Sequence, residues 1–226
     1  MLTEDNEKAS YLSKAYEAGT DCGKSNEVYA KYAGMYHEIH ATDTWKGPSE
    51  LAKTAAEVMD PSGRSEDVVV LDFGAGTGLS GIAMKKHGFS TIDAIDISKE
   101  MLEVAQKEYQ GGLYRKLYCG FLEKDIHLDA DSYHMIIGAG IIGTHVGTDE
   151  VERLMKLVKP GGRILYTIRV EADESEEFQK FYSSFCDESK SNGEWNKEYS
   201  VDKGPLNLDI PSVNHRIVSI KRADTI

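Results

Sequence analysis

Val68-Val-Val-Leu-Asp-Phe-Gly-Ala-Gly-Thr-Gly78 decides the fold. Val68 to Leu71 is a β-branched and aliphatic run without alternation, the composition of a parallel strand covered on both faces. Gly74, Gly76 and Gly78 follow at every second position. They let the main chain turn sharply and leave no Cβ between it and a ligand. Asp72 stands at the carboxyl end of the strand, where open α/β sheets hold their ligands. The stretch is a binding loop by position.

Downstream, strand-like and helix-like segments alternate, the pattern of a parallel sheet. The spacing predicts a helix from Leu79 to His87 closed by Gly88, and a second strand from Thr91 to Ile97. Ser98 then caps a helix that turns Met101, Leu102 and Ala105 inward and ends at Gly111-Gly112. Leu113 to Cys119 and Tyr133 to Ala139 are the expected third and fourth strands. Thr148 caps an expected helix from Asp149 to Val158, and Arg163 to Val170 is the fifth strand. Past it, Phe178, Phe181, Tyr182 and Phe185 recur at helical spacing within one expected helix from Asp173 to Ser189. Trp195 to Val201 and Asn214 to Lys221 alternate as strands and form the antiparallel end of the sheet.

Upstream, residues 1 to 24 read as a polar arm with a short helix at Tyr11 to Ala18. Val28, Tyr32, Met35, Tyr36 and Ile39 then make one apolar helix face between Asn26 and His40. A further helix is expected from Ser49 to Met59. The fold class is therefore α/β: a doubly wound, mostly parallel, Rossmann-like sheet of seven strands, with an antiparallel last strand and an N-terminal helical lid. A single domain over 1–226 is expected, with 1–48 as arm and lid and 49–226 as core.

With 40% apolar and 28% charged residues over 226 positions, the chain suits one such core. No apolar run approaches the roughly 18 residues that span a bilayer, and the N-terminus has no signal-peptide core, so a cytoplasmic protein with no membrane partner is expected. Cys22, Cys119 and Cys186 are too far apart for a disulfide framework or a zinc site. His37 and His40 lack a third ligand nearby, and no metal is expected. A net charge of −12 opposes binding to nucleic acid, whose affinity comes from Lys and Arg set against phosphates. The pattern leaves the oligomeric state open.

Two cofactors compete for the loop. Gly76-Thr-Gly-Leu-Ser-Gly81 satisfies the dinucleotide fingerprint, with Asp96 about 20 residues beyond it. A pyrophosphate on a helix N-terminus disfavours a fixed negative charge close by, and Asp72 supplies one. S-adenosylmethionine, which carries an ammonium group and no phosphate, suits Asp72 instead.

Asp72-Phe-Gly-Ala-Gly-Thr-Gly78 resembles the glycine-rich first motif of the class I S-adenosylmethionine-dependent methyltransferases. Ala94-Ile-Asp-Ile-Ser-Lys-Glu-Met-Leu102 resembles their second motif, and Lys159-Pro-Gly-Gly162 the turn into their fifth strand. With Tyr29-Ala-Lys-Tyr-Ala-Gly-Met-Tyr36 and Trp45-Lys-Gly-Pro48, the chain is most similar to the methyltransferase-like proteins of the Williams–Beuren region. The resemblance implies that Gly74, Ala75, Gly76 and Gly78 shape a cofactor loop, that Asp72 orients the amino-acid end through main-chain groups and water, and that Asp96 accepts hydrogen bonds from the ribose. Ile97 and Met101 then form a wall of the adenine slot. Related enzymes place an acid after the third strand, where this chain has Gly120-Phe-Leu122, so the adenine contact passes to main-chain groups near Phe121 and Leu122 or to Glu123.

His145, after the fourth strand, is the candidate catalytic base, with loop anchoring as its alternative role. Tyr29, Tyr36 and Trp45 offer aromatic faces to a sulfonium or an amine, or simply pack the lid. Arg169 is placed to clamp an acceptor carboxylate. The acidic or Asn-Pro-Pro-aromatic run of nucleobase and amide methyltransferases is missing after the fourth strand. The reading is an S-adenosylmethionine-dependent methyltransferase that acts on a small-molecule substrate by in-line displacement. Its rivals are an NAD(P)-dependent oxidoreductase and a non-catalytic cofactor-binding scaffold.

Overall fold

Val70 and Leu71 point to opposite faces of a strand, and each is fully buried in a different core, which places that strand in the middle of a covered sheet. The computed structural model describes residues 14, 22–40, 44–59, 68–109, 112–186, 194–208 and 211–224. Its strands are β1 (Val69–Phe73), β2 (Thr91–Asp96), β3 (Lys116–Cys119), β4 (Tyr133–Gly138), β5 (Val158–Arg169), β6 (Trp195–Gly204) and β7 (His215–Arg222). They form a seven-stranded sheet in the order β3-β2-β1-β4-β5-β7-β6. β1 to β5 pair in parallel, and β7 runs antiparallel to both β5 and β6. This is the expected doubly wound architecture, with the strand order reversing at β1 and β4.

The helices are α1 (Cys22–His40), α2 (Gly47–Val58), α3 (Leu79–Lys86), α4 (Lys99–Glu108), α5 (Thr148–Leu157), α6 (Val170–Asp173) and α7 (Glu176–Cys186). One face of the sheet buries Val70, Ile92, Ile137 and Leu165 against Leu51 and Ala55 of α2 and Met84 of α3. The other buries Leu71, Ile136, Ile164 and Tyr166 against Val151 and Leu154 of α5 and the four aromatics of α7. α1 packs on α4 and so lies at the carboxyl end of β2.

Several boundaries differ from expectation, each for a local reason. The third strand starts at Lys116 rather than Leu113, because Leu113 turns inward to fill the space over Gly78. Thr148 is the first helical residue of α5 and not its cap; Gly147 holds that place, and the Thr148 amide and hydroxyl both donate to Glu177 Oε1 at 3.0 Å. The fifth strand begins at Val158, ahead of Lys159-Pro-Gly-Gly162. The single helix expected from Asp173 is two. Asp173 is 1% exposed, and its carboxylate accepts from Tyr182 Oη at 2.7 Å and Arg216 Nη1 at 3.0 Å, while the Ser175 hydroxyl accepts from the Phe178 amide and starts a new helix. The helix expected at Tyr11 to Ala18 lies outside the described residues except for Lys14, as does the stretch from residue 187 to 189.

Asp93, inside β2, is buried for a structural reason. Arg115 holds it through two bonds of 2.8 and 2.7 Å, and Tyr133 Oη donates to it at 3.1 Å, tying β2 to the approach to β3 and to β4. Removing the guanidinium strands a buried carboxylate, a loss tempered by the partial exposure of Arg115. Arg115→Ala is expected to cost roughly 2 kcal/mol in urea unfolding at pH 7. In an Asp93→Asn background the same substitution should cost much less, and an undiminished cost there refutes the pairing.

Candidate functional site

The site is built where β1 ends. Gly74 has φ +70°, and a Cβ on it would lie 2.6 Å from Ile141 Cδ1. Glycine is therefore required both by the turn and by the close approach of the loop after β4. The loop amides are committed: those of Gly74 and Ala75 donate to Ile95 O at 2.9 and 3.2 Å, and that of Gly78 donates to Ala75 O at 2.9 Å. The Gly76 amide donates to Asp96 Oδ2 at 2.8 Å, and the Ser98 amide donates to Asp96 Oδ1 at 2.8 Å. Ser98 in turn caps α4, its hydroxyl accepting from the Met101 amide at 3.3 Å. Burial raises the Asp96 carboxyl above the usual range, and the amides of Ser98, Gly76 and Ile97 pull it back.

A cavity of about 150 Å³ opens beside these residues. Gly74 and Gly76 form one edge, with Asp96, Ile97 and Met101 next to them. Gly120, Phe121 and Leu122 follow β3, and Ala139, Gly140, Ile141, His145 and Val146 follow β4. Tyr29 and Tyr36 of α1 line it as well, and Glu150 of α5 completes the wall. Tyr29 Oη lies 2.9 Å from His145 Nε2, and Tyr36 stands edge-on to Tyr29 with ring centroids 6.0 Å apart. The Tyr29 and Tyr36 hydroxyls are held protonated, by burial first and also by the negative charge of Asp96.

Ten of the residues singled out in the sequence thus share one wall: Tyr29, Tyr36, Gly74, Gly76, Asp96, Ile97, Met101, Phe121, Leu122 and His145. Asp72, Ala75 and Gly78 do not reach it. Asp72 is fully buried behind the loop, where Tyr114 Oη donates to its Oδ2 at 2.6 Å and Oδ1 has no partner among the described residues. Burial pushes its carboxyl up to about 7, against the opposing bond from Tyr114. Ala75 packs on Ala94 and Leu102, and Gly78 lies under Leu113. Trp45 backs the wall from outside, within 3.1 Å of where a Cβ on Gly140 would be, and stacks edge-on with His215. Glu123 points to Lys156 and Arg153 on the surface. Arg169 is not on the wall, although its charge reaches both Tyr29 and His215.

Sequence reasoning missed Glu150, which reads only as a first-turn helix acid, and Tyr114, which nothing in the pattern marks. It also missed Asp125, whose carboxylate accepts from the Phe121 amide at 3.0 Å and so occupies one main-chain donor proposed for the adenine. No group of three or more metal-ligating side chains occurs among the described residues, and none of their helices is long and apolar enough to cross a membrane.

Residues 70–162 match a family described as a methyltransferase domain. The chain is 30% identical over 146 residues to malonyl-(acyl-carrier protein) O-methyltransferase of Halalkalibacterium halodurans, covering 62% of this chain and 52% of that protein. It is 23% identical over 177 residues to human methyltransferase-like protein 27, covering 77% and 69% respectively. The chain therefore spans about half the length of the first of these relatives. Among solved structures it is similar to an S-adenosylmethionine-dependent methyltransferase from Mesorhizobium loti, with TM-score 0.53, 14% identity, and coverage of 76% of this chain and 98% of that one. It is also similar to the cyclase SpnF, with TM-score 0.64, 11% identity, and coverage of 90% and 97%. These structural likenesses show the fold.

The raised Asp72 carboxyl has a consequence for stability. The folded state holds this proton more tightly than the unfolded chain, so the stabilisation is complete below about pH 4 and is lost as pH rises through about 7. Between pH 4 and pH 8 the wild-type chain should lose more unfolding free energy than Asp72→Asn, by at most about 4 kcal/mol. Parallel stability–pH curves for the two proteins refute the burial of an ionisable Asp72.

Proposed function

We propose, taking residues 70–162 as a class I S-adenosylmethionine-dependent methyltransferase domain, that the chain transfers a methyl group from S-adenosylmethionine to a small-molecule acceptor by in-line displacement. The observation that carries this reading is the commitment of the loop amides. Those of Gly74, Ala75, Gly76 and Gly78 are spent on Ile95, Asp96 and Ala75 rather than aimed at a ligand. A pyrophosphate needs such amides as donors, so the dinucleotide rival loses its footing. A nucleoside with a cationic amino-acid tail asks instead for a carboxylate acceptor, glycine-lined space and apolar walls, and the site has all three.

In this reading the second lone pairs of the Asp96 oxygens accept from the ribose hydroxyls. Ile97, Met101, Phe121 and Leu122 enclose the base, and Gly74 and Gly76 leave room for the tail. Asp72 acts from behind the loop through its charge. The bound sulfonium supplies an already activated methyl group, and the chain's own work is to position donor and acceptor and exclude water. Tyr29 and Tyr36 cover the cavity from α1, and His145 stands on the acceptor side. The apolar cavity and the net charge of −12 support a small acceptor over nucleic acid. We take residues 1–226 as one domain, with 1–48 as its arm and lid.

Calorimetric titration with S-adenosylmethionine, S-adenosylhomocysteine and NADH should give micromolar binding for the first two and none for the third. Asp96→Ala should weaken both adenosyl ligands more than tenfold, the equivalent of about 1.4 kcal/mol. NADH binding alone, or an unchanged affinity in Asp96→Ala, overturns the reading.

A further inference from the structure

The acceptor side of the cavity holds a polar pair assembled from segments 116 positions apart, Tyr29 of α1 and His145 after β4. Their rings stand at 85° with centroids 5.4 Å apart, and both line the cavity. Phenol is the stronger hydrogen-bond acid and neutral imidazole the stronger base, so Tyr29 Oη donates and His145 Nε2 accepts. Burial and the charge of Asp96 keep the Tyr29 proton on oxygen, against a weaker opposite pull from Arg169. With Nε2 accepting, the ring proton of a neutral His145 is on Nδ1.

The cavity that the pair lines is mostly apolar, with Tyr36, Ile141 and Val146 in its wall besides the carboxyl groups of Asp96 and Glu150. Such a wall admits an uncharged molecule at low cost and penalises a carboxylate or an ammonium through desolvation. Glu150 lies on the same wall and is paired with Arg153. A neutral hydroxyl is a weak nucleophile until its proton leaves, and a phenol–imidazole pair is the apparatus that removes one.

We propose that the acceptor is an uncharged phenolic or enolic hydroxyl and that Tyr29 is the catalytic residue that takes its proton while passing its own to His145. The proposal rests on the methyltransferase reading above. The acceptor O–H bond breaks as its oxygen bonds the methyl carbon. The proton goes to Tyr29 Oη, and the Tyr29 proton goes to Nε2, leaving an imidazolium. The electron pair of the broken sulfur–carbon bond stays on sulfur, which loses its positive charge. Tyr29 ends neutral as it began, and His145 releases one proton to water. Among the described residues the charges of Asp96 and Arg169 act on Tyr29, Tyr36 stands edge-on to it with the His40 ring centroid 4.4 Å from Tyr36, and Glu150 lines the same cavity.

Two measurements on the full chain test this. In ¹⁵N-histidine NMR spectra without any ligand, His145 should carry its proton on Nδ1, with an Nε2 resonance that moves in Tyr29→Phe. A proton on Nε2 reverses the pair and overturns the proposal. With S-adenosylhomocysteine saturating, 4-nitrophenol is the probe and its phenolate absorbance the readout. At pH 6 the bound phenol should be at least threefold more ionised in the wild-type chain than in Tyr29→Phe or His145→Gln, with the double variant no lower than either single one. 4-Nitrobenzoate and 4-nitrobenzylamine should bind at least tenfold more weakly. Equal phenol ionisation in all four proteins, or preferred binding of either charged probe, overturns the proposal. Failure of S-adenosylhomocysteine to bind the wild-type chain sinks the cofactor reading instead, and leaves the NMR result to decide the pair.

Discussion

The carboxylate of Asp96, accepting the amides of Gly76 and Ser98 at 2.8 Å each, is the constraint on which the site depends. It joins the end of β2 to the glycine loop after β1 and to the first turn of α4, three elements that sheet pairing alone leaves free to splay. Because Gly76 is tied down, the amides of Gly74 and Ala75 fall on Ile95 O. Because Ser98 is tied down, its hydroxyl reaches the Met101 amide and brings Met101 to the cavity wall. A carboxylate held by two amides is well satisfied yet still desolvated, which is why its carboxyl sits above the usual range. Asp72, one strand away and also raised, adds a second desolvated acid behind the same loop. Two such groups make the carboxyl end of β1 and β2 favourable to a cation, which is the electrostatic content of the proposed choice of cofactor.

The lid follows from the same acid. α1 packs on α4, whose start Ser98 and Asp96 define, and this carries Tyr29 and Tyr36 over the cavity. Burial first, and then the negative charge of Asp96, keeps their hydroxyls protonated. The Tyr29–His145 bond then fastens α1 to the loop after β4. Moving α1 away from that loop costs this bond.

Most of the fold and the cofactor half of the site were legible in the sequence because they are written in contiguous stretches. A β-branched run, three alternating glycines and an acid 20 residues beyond Gly76 specify the loop, and Asp96 lies where that spacing puts it. Tyr29, Tyr36 and His145 were legible as candidates, but their meeting was not, since no local pattern reports a contact across 116 positions. Asp72 was legible at the carboxyl end of β1, but its place behind the loop and off the cavity wall was not. Strand alternation sends it to the interior at the carboxyl end of β1, where Tyr114, from the irregular approach to β3, donates to it and the Gly81 amide also opposes the cost of burial. The split between α6 and α7 was hidden likewise, because the apolar periodicity from Phe178 to Phe185 continues smoothly while Asp173 is captured by Tyr182 and Arg216 from outside the segment.

This division between local and assembled features has a physical consequence. The cofactor side depends on main-chain geometry at a few glycines and one acid, and any added Cβ there meets packed neighbours such as Ile141 or Leu113. The acceptor side depends on side chains borne by α1, the loop after β4 and the start of α5, each anchored elsewhere: α1 on α4, and α5 on α7 through Glu177. Substituting Tyr36, Val146 or Glu150 therefore changes the shape and charge of the acceptor wall without touching the amide network that holds Asp96. Proteins as different as a methyltransferase and a cyclase share this fold at 11–14% identity to the chain, as expected when the sheet and its glycine turn fix a platform and the chemistry is decided by what leans over it.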